Sequence, residues 1–181
     1  PHYVGSETNV LKRFYEAAVK YELDVIIRVT SDCPFLDPGL LDEMVEYYMN
    51  HDYDLLRNTF EGSRLPRGFD TEIFNFQVLE KTYRLAKTEQ EKEHVTFFMY
   101  SNPHIFSVHE YQPKELEKID GLRVTIDEKK DLEMCRKLYG LMREGGKKIN
   151  FSLYDIINII KEHPDLVNIN KSVEQKKVQS N

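Results

Sequence analysis

An acidic residue directly follows an apolar, β-branched run at two places in this sequence. The segment DVIIRVTSDCP places Asp32 after one such run, and GLRVTIDEKK places Asp127 after another. These runs are typical of parallel strands covered on both faces, and ligands of open α/β sheets bind outside the carboxyl ends of the strands. Mg²⁺ takes oxygen ligands, using one or two protein carboxylates together with substrate phosphates. We therefore predict that Asp32 and Asp127 form a catalytic magnesium site, with their strands as parallel neighbours in one sheet.

Both acids also have a structural interpretation that the sequence leaves open. An aspartate after a strand often forms a turn or caps a helix, which is the alternative for Asp32. Asp127 stands just before a predicted helix, where Asp is a favoured N-cap. The sequence alone does not choose between the metal site and these local roles.

Two arginines are candidates for substrate binding. Arg13 lies in the helical segment VLKRFY, and Arg28 lies in the strand segment IIRVT. A guanidinium group forms paired hydrogen bonds with a phosphate or a carboxylate, so both side chains suit an anionic ligand. For Arg13 the alternative is a place on the solvent-exposed face of its helix.

The elements that position these residues alternate between helical and strand patterns, as is typical of an α/β fold. A helix is predicted after Ser6, and another after Asp37 as N-cap with Pro38 in the first turn. Ser152 and Asp155 have the spacing of a capping box before a third helix. Strands are predicted in DVIIRV, DYDLLRNT, DTEIFNF, HIFSVHEY and GLRVTI, and further helices in QVLEKTYRLAK, QEKEHVTFFMYSN and the segment that follows Asp127.

Composition limits the classes of protein that this chain can represent. Its 181 residues are 40% hydrophobic, which favours one folded domain over residues 1–170, and the polar segment 171–181 predicts a disordered tail. The formal net charge of -6 argues against nucleic acid as a partner. Cys33 and Cys135 lack metal-ligand or redox spacing, which favours a reducing, cytoplasmic setting. No apolar run reaches the roughly 20 residues that span a bilayer.

Five segments in order resemble the cytidylyltransferases of the spore-coat polysaccharide biosynthesis type, relatives of the CMP-sialic acid and CMP-Kdo synthetases. The segments are GSETNVLKRFYEAA, IIRVTSDCPFLDP, GFDTEIFNF, EHVTFFMYSNP and VTIDEKKDLEM. The resemblance implies a three-layer, Rossmann-like nucleotidyltransferase fold with a mixed, mostly parallel sheet flanked by helices. It also implies transfer of CMP from CTP to a small sugar, with acidic sugars among the candidates, with Mg²⁺ as cofactor and pyrophosphate as the leaving group.

The resemblance assigns roles to further residues. It implies that Asp32 and Asp127 hold the metal, and that Asp70 and Glu72 of GFDTEIF line the sugar or nucleotide pocket. Their alternative is a surface strand whose acids face water. Within EHVT, Glu93 and His94 are assigned to substrate binding. A lone histidine is more often structural, although an imidazole such as that of His94 can assist a sugar hydroxyl as a general acid or base.

One expected segment of the family is not found in the sequence. Members begin with a strand and a Gly-, Ser- and Arg-bearing loop that grips the CTP phosphates, and RLPRG at residues 64–68 resembles that loop only superficially. The resemblance therefore implies a chain without the amino-terminal CTP-binding segment. Two alternatives follow: a non-catalytic remnant or subunit that binds a sugar or a protein, and a glycosyltransferase of the related nucleotide-sugar fold. Bulky side chains such as Phe97 and Tyr100 could support self-association, so a homo-oligomer is a further alternative.

Overall fold

The computed structural model describes residues 1–146 and 151–174. Within these residues the chain forms strands and helices in the alternating order that the sequence predicts. The strands are β1 (Val25–Arg28), β2 (Leu55–Arg57), β3 (Glu72–Asn75) and β4 (Val108–Glu110). The helices are α1 (Val10–Lys20), α2 (Pro38–Met49), α3 (Phe76–Leu85), α4 (Glu89–Glu93), α5 (Phe97–Ser101), α6 (Lys129–Glu144) and α7 (Leu153–Glu162), followed by a 3-10 helix (Pro164–Asn168).

The described strands form one mixed sheet in the order β1-β3-β2-β4. β3 pairs antiparallel with both β1 and β2, and β2 pairs parallel with β4. The predicted α/β class with a mixed sheet is confirmed, but the prediction of a mostly parallel sheet is wrong for these strands. An apolar run identifies a strand without encoding the direction of its partner, which explains the error.

β1 differs from the prediction in its surroundings as well. Among the described strands it pairs with β3 alone. Ile27 and Val29, which a doubly covered strand would bury, are 41% and 42% exposed. The prediction of a parallel strand covered on both faces is therefore wrong for β1.

The chain divides into two compact units. Unit 1 comprises Pro1–Val29, Met44–Phe60 and Thr71–Tyr111, and it contains the whole sheet. Its core forms where the apolar faces of α1 and α3 pack against the strands, since both helices carry apolar residues at helical spacing. The buried core residues of this unit include Leu11, Ala18, Ile26, Leu55, Phe74, Val78, Leu79 and Met99.

Unit 2 is built from residues 30–43, residues 61–70 and the described residues from 112 onwards. α6, α7 and the 3-10 helix pack on one another within it. The prediction of one domain over residues 1–170 stays a prediction, because two compact units can belong to one domain. Residues 175–181 of the predicted polar tail lie outside the described residues. The buried side chains of α6 and α7 are Asp131, Met134, Cys135, Leu138, Met142, Leu153, Ile156, Ile157 and Ile160.

The predicted helix caps of unit 2 are confirmed. Asp37 Oδ1 accepts hydrogen bonds from the Gly39 and Leu40 amides at 2.8 and 3.3 Å, and its Oδ2 accepts from the Leu153 amide at 2.7 Å. This buried carboxylate therefore satisfies backbone donors at the starts of both α2 and α7. Ser152 and Asp155 form the predicted capping box of α7.

Two predicted elements take another form. The segment GLRVTI is extended, but it forms only an isolated parallel bridge between Arg67 and Arg123 instead of a strand. The helix predicted over QEKEHVTFFMYSN is divided into α4 and α5, because His94 ends α4 as its C-cap. None of the helices in the described residues is long and apolar enough to cross a membrane.

Candidate active site

Asp32 lies in a tight turn that directly follows β1 in the chain. The turn is closed by a hydrogen bond of 3.2 Å from the Cys33 amide to the Thr30 carbonyl. Thr125 donates its hydroxyl to Asp32 Oδ2 at 3.2 Å, and the Ile126 amide donates to the Asp32 carbonyl at 2.9 Å. The backbone of Asp32 thus lies against the segment that leads into Asp127. The turn interpretation of Asp32 is confirmed, and it leaves the carboxylate partly exposed.

The carboxyl group of Asp32 is held in its ionised form. Partial burial acts to raise its pKa, but hydrogen bonds from Thr30 and Thr125 and the positive charge of Arg67 outweigh burial and lower the pKa. An ionised, partly exposed carboxylate is a suitable ligand for a hard cation.

Asp70 lies in the same group of side chains as Asp32. The Cys33 thiol donates weakly to Asp32 Oδ1 at 3.9 Å and to Asp70 Oδ2 at 3.7 Å, so the two acids flank one sulfur. Arg67 Nη1 lies 3.4 Å from Asp70 Oδ1. We call Asp32, Cys33, Arg67, Asp70 and Thr125 the Asp32 cluster; all five belong to unit 2.

The thiol of this cluster is a protonated donor and not a nucleophile. Burial is the main cause that raises the pKa of Cys33 to about 11; the Thr30 hydrogen bond acts against it, and the charges of Asp70 and Asp32 add to the rise. The thiolate is the reactive form of cysteine. The Asp32 cluster therefore does not support covalent catalysis by Cys33.

Gly68 allows two segments of the cluster to approach closely. Its φ of +112° is a conformation that favours glycine, and a Cβ at this position would lie 2.6 Å from the Val124 carbonyl carbon. The Val124 amide donates to the Arg67 carbonyl at 2.8 Å. The backbones of residues 67–68 and 124–125 are thereby fixed against each other, which positions Arg67 next to Val124.

The Asp127 side chain forms an ion pair with a neighbouring arginine. Its side chain, which is 47% exposed, forms a very short ion pair with Arg123. Its backbone amide donates to Asp131 Oδ2 at 3.1 Å. The N-cap of α6 is Glu128, so the interpretation of Asp127 as that cap is wrong.

Sequence reasoning missed a buried network beside Asp127. The fully buried Asp131 accepts from Arg123 Nε at 3.1 Å, from Asn170 Nδ2 at 2.8 Å and from the Glu128 amide at 3.0 Å. Burial acts to raise the pKa of Asp131, but these donors together lower it. The spacing of Glu128 and Asp131, which form a capping box, was the available sequence signal.

The segments of Asp32 and Asp127 lie against each other, although by another route than predicted. Their segments meet through the hydrogen bond from Ile126 to Asp32 and not as parallel neighbouring strands. Among the described residues, no three His, Cys, Asp or Glu side chains are grouped as a metal site. Mg²⁺ uses one or two carboxylates with substrate phosphates, so two carboxylates suffice. The metal role of the pair stays a prediction.

Arg28 and Glu72, both predicted to bind substrate, bind each other in unit 1. Arg28 Nη1 lies 2.6 Å from Glu72 Oε2, and the buried Thr96 hydroxyl donates to Glu72 Oε1 at 2.7 Å. The structure thus gives Glu72 two internal partners inside the sheet region. Their role in substrate binding stays a prediction.

The remaining predicted substrate residues also lie in unit 1. Arg13 donates from Nη1 to the Ser6 carbonyl at 3.2 Å and so fixes the segment before α1. Glu93 is the exposed last residue of α4, and His94 is its C-cap. Asp32 and Asp70 belong to unit 2, and the role of Arg13, Glu93 and His94 in substrate binding stays a prediction.

A surface cavity of about 430 Å³ lies elsewhere in unit 2. Its lining comes from residues around Glu117, Lys161 and Lys171, and it includes none of the predicted site residues. Lys161 is already paired with Glu117 at 2.6 Å. The Asp32 cluster, which has an ionised acid, an arginine and a glycine-dependent backbone, is the better candidate for a site.

The comparisons with known proteins agree on one family. A cytidylyltransferase family model matches residues 3–163. The uncharacterised protein MJ1063 of Methanocaldococcus jannaschii is 38% identical over 172 residues, covering 95% of this chain and 68% of the relative. The spore coat polysaccharide biosynthesis protein SpsF of Bacillus subtilis is 32% identical over 164 residues, covering 89% of this chain and 65% of SpsF.

A solved structure gives the same result for the fold. A cytidylyltransferase from Leptospira borgpetersenii serovar Hardjo-bovis matches with a TM-score of 0.83 at 31% identity, over 94% of this chain and 69% of that one. The nucleotidyltransferase fold implied by the five sequence segments is thereby confirmed. The chain spans about two thirds of the length of each relative. It belongs to the cytidylyltransferase family.

Proposed function

We propose that the protein transfers CMP from CTP to a sugar and releases pyrophosphate. A sugar hydroxyl oxygen forms a bond to the α-phosphorus, the bond from that phosphorus to the bridging oxygen breaks, and the hydroxyl proton passes to solvent or a base. Little covalent help from the protein is required, because positioning and charge neutralisation provide most of the acceleration of such transfers. The observation that carries the proposal is the family match over residues 3–163.

The Asp32 cluster, together with Asp127, supports this reaction. Asp32 and Asp127 would hold Mg²⁺, which would neutralise charge on the phosphate oxygens. Thr125 orients the Asp32 carboxylate by its hydrogen bond of 3.2 Å. Arg123 positions the Asp127 carboxylate through their ion pair. These contacts support a preorganised acidic site that needs no rearrangement of Asp32.

The sugar and the pathway belong to the proposal as well. SpsF is named for spore coat polysaccharide biosynthesis, and it is 32% identical to this chain. We infer that this protein serves the synthesis of a surface polysaccharide and that its substrate is an acidic sugar. Asp70, Glu72, Glu93 and His94, together with Arg13 and Arg28, remain the candidates for contacts with the sugar or nucleotide.

The test is pyrophosphate release from CTP and Mg²⁺ in the presence of acidic and neutral sugars, with UTP and GTP as controls. Asp32→Asn keeps the shape of the side chain and removes its charge, and we expect a loss of about 100-fold or more in activity. Asp42→Asn is the matched control, because Asp42 is an exposed acid of the same unit. Equal activity of Asp32→Asn and Asp42→Asn would refute the assigned site. Turnover of only a preformed nucleotide-sugar would instead indicate a glycosyltransferase.

A further inference from the structure

Arg67, a member of the Asp32 cluster, has unused hydrogen-bonding capacity. Its Nε atom is buried and makes no hydrogen bond with the residues that the structure describes. Its ion pair with Asp70 is long at 3.4 Å, whereas charge-assisted N–H···O⁻ bonds are typically about 2.7–2.9 Å. A buried polar donor without a partner is costly, so an unsatisfied Nε calls for a functional explanation.

The backbone of Arg67 is fixed, so its side chain starts from a defined position. The Arg67 carbonyl accepts from the Val124 amide at 2.8 Å, and Arg67 forms the isolated parallel bridge with Arg123. The next residue, Gly68, has no room for a Cβ against Val124. A mobile surface arginine would have none of these restraints.

The charges around Arg67 favour an anionic ligand at its guanidinium group. Asp32 and Asp70 alone would repel an anion, and Arg67 is the positive charge that acts on both acids. The side chain is 41% exposed, so part of the guanidinium group is open to a ligand. A guanidinium group carries five donors in a planar fork that fits two oxygens of a phosphate or carboxylate.

We propose that Arg67 binds an anionic oxygen group of a substrate, either a phosphate of the nucleotide or the carboxylate of an acidic sugar. This inference rests on the proposed function and extends it by assigning the segment RLPRG, at residues 64–68, to the substrate site. Arg64 of the same segment is structural by contrast, because it donates to Gln112 Oε1 at 3.0 Å and to the Pro113 carbonyl at 3.0 Å.

The test is calorimetric titration of the whole protein with CTP, with pyrophosphate and with N-acetylneuraminate, at one fixed Mg²⁺ concentration. Arg67→Met removes the charge and keeps an unbranched chain, and Arg67→Lys keeps the charge without the planar fork. Arg136→Met is the control, since Arg136 is an exposed arginine of the same unit. Thermal unfolding of each variant checks that it is folded.

We expect Arg67→Met to lower the affinity for one class of probe about tenfold or more. The affinity of Arg67→Lys should lie between those of Arg67→Met and the wild type, and Arg136→Met should bind every probe as the wild type does. Weaker CTP and pyrophosphate binding identifies a phosphate contact, and weaker N-acetylneuraminate binding identifies a carboxylate contact. Unchanged affinity of folded Arg67→Met for every probe, or a wild type that binds none of them, overturns the inference. Absence of CMP transfer with normal probe binding would overturn the proposed function alone.

Discussion

Two acidic groups of unit 2, the Asp32 cluster and the network of Asp131 with Arg123 and Asn170, hold their carboxylates in different ways. Both carboxyl groups have a lowered pKa although burial acts to raise it. Asp131 is fully buried, and two side chains and two backbone amides donate to it. Asp32 accepts from threonine hydroxyls and stays partly exposed. A lowered pKa therefore shows that a carboxylate has enough hydrogen-bond donors and positive charge around it. Only the remaining exposure of Asp32 distinguishes it, as a candidate metal ligand, from the structural Asp131.

The pair of Arg28 and Glu72 in unit 1 resembles the Asp131 network more than the Asp32 cluster. Glu72 is buried, and its two oxygens accept from Arg28 and Thr96. A contact with substrate would have to reach this buried carboxylate in addition to both bonds. The comparison therefore favours a structural contribution from this pair, next to its predicted role in substrate binding.

The largest effect on stability is expected for Asp131→Asn. Removal of this charge leaves Arg123, which is 7% exposed, without its buried partner. Breaking a buried ion pair from one side costs about 3–5 kcal/mol in the free energy of unfolding. Urea unfolding measures the change, with Asp42→Asn as the exposed control. A loss as small as that of the control would show that the Asp131 network is not structural.

Gly68→Ala is expected to rank second. A positive φ strains alanine, and its Cβ would lie 2.6 Å from the Val124 carbonyl carbon, so we expect a loss of about 2–4 kcal/mol in the free energy of unfolding. Gly62→Ala is the matched control, because Gly62 has a φ of +90° but a Cβ there would have no atom within 4 Å. We expect about 1 kcal/mol at Gly62, from backbone strain alone. Equal losses would contradict the close contact at Gly68.

The pH dependence of stability provides a third test. Burial acts to raise the pKa of Asp131, but Arg123, Asn170 and two backbone amides lower it below its ordinary value of 3.8. The unfolded state then binds more protons, so the contribution of Asp131 is present above about pH 4 and is lost as the pH falls through the lowered pKa. Urea midpoints of the wild type should fall on acidification more steeply than those of Asp131→Asn. Parallel curves would contradict this assignment.

The smallest effect on stability is expected for Asp32→Asn. The carboxylate is partly exposed and its partners are hydroxyl groups, so the free energy of unfolding should change by less than about 1 kcal/mol. The same variant is expected to lose the proposed activity. A large loss of stability at Asp32 would place it with Asp131 as a structural acid and would remove the contrast between the two groups.

Local signals in the sequence predicted much of the secondary structure. Ser152 and Asp155 lie three residues apart, and Asp37 directly precedes Pro38, so each cap depends only on near neighbours. The strands around Leu55, Ile73 and His109 were likewise located by their apolar patterns. The direction of strand pairing could not be predicted, because it depends on partners far away in the chain.

The candidate site was predictable only in part, for the same physical reason. The position of Asp32 after an apolar run indicated its turn. No local pattern indicates that Thr125, which is 93 residues away in the sequence, lies within hydrogen-bonding distance of Asp32. Arg67 was not among the predicted residues, because RLPRG resembles the CTP-binding loop of the family only superficially. Asp131 was missed because Asn170, its partner at 2.8 Å, is 39 residues distant in the chain.

The discontinuous composition of unit 2 has a consequence for synthesis on the ribosome. The turn at Asp32 is made long before Thr125, and at about 5–20 residues per second the interval of 93 residues corresponds to roughly 5–20 s. During that time the apolar side chains of Cys33 and Phe35, which the finished unit buries, have no completed core to enter. The nascent chain therefore leaves these two side chains uncovered, at the segment that later carries the acidic site, until residue 125 has been synthesised.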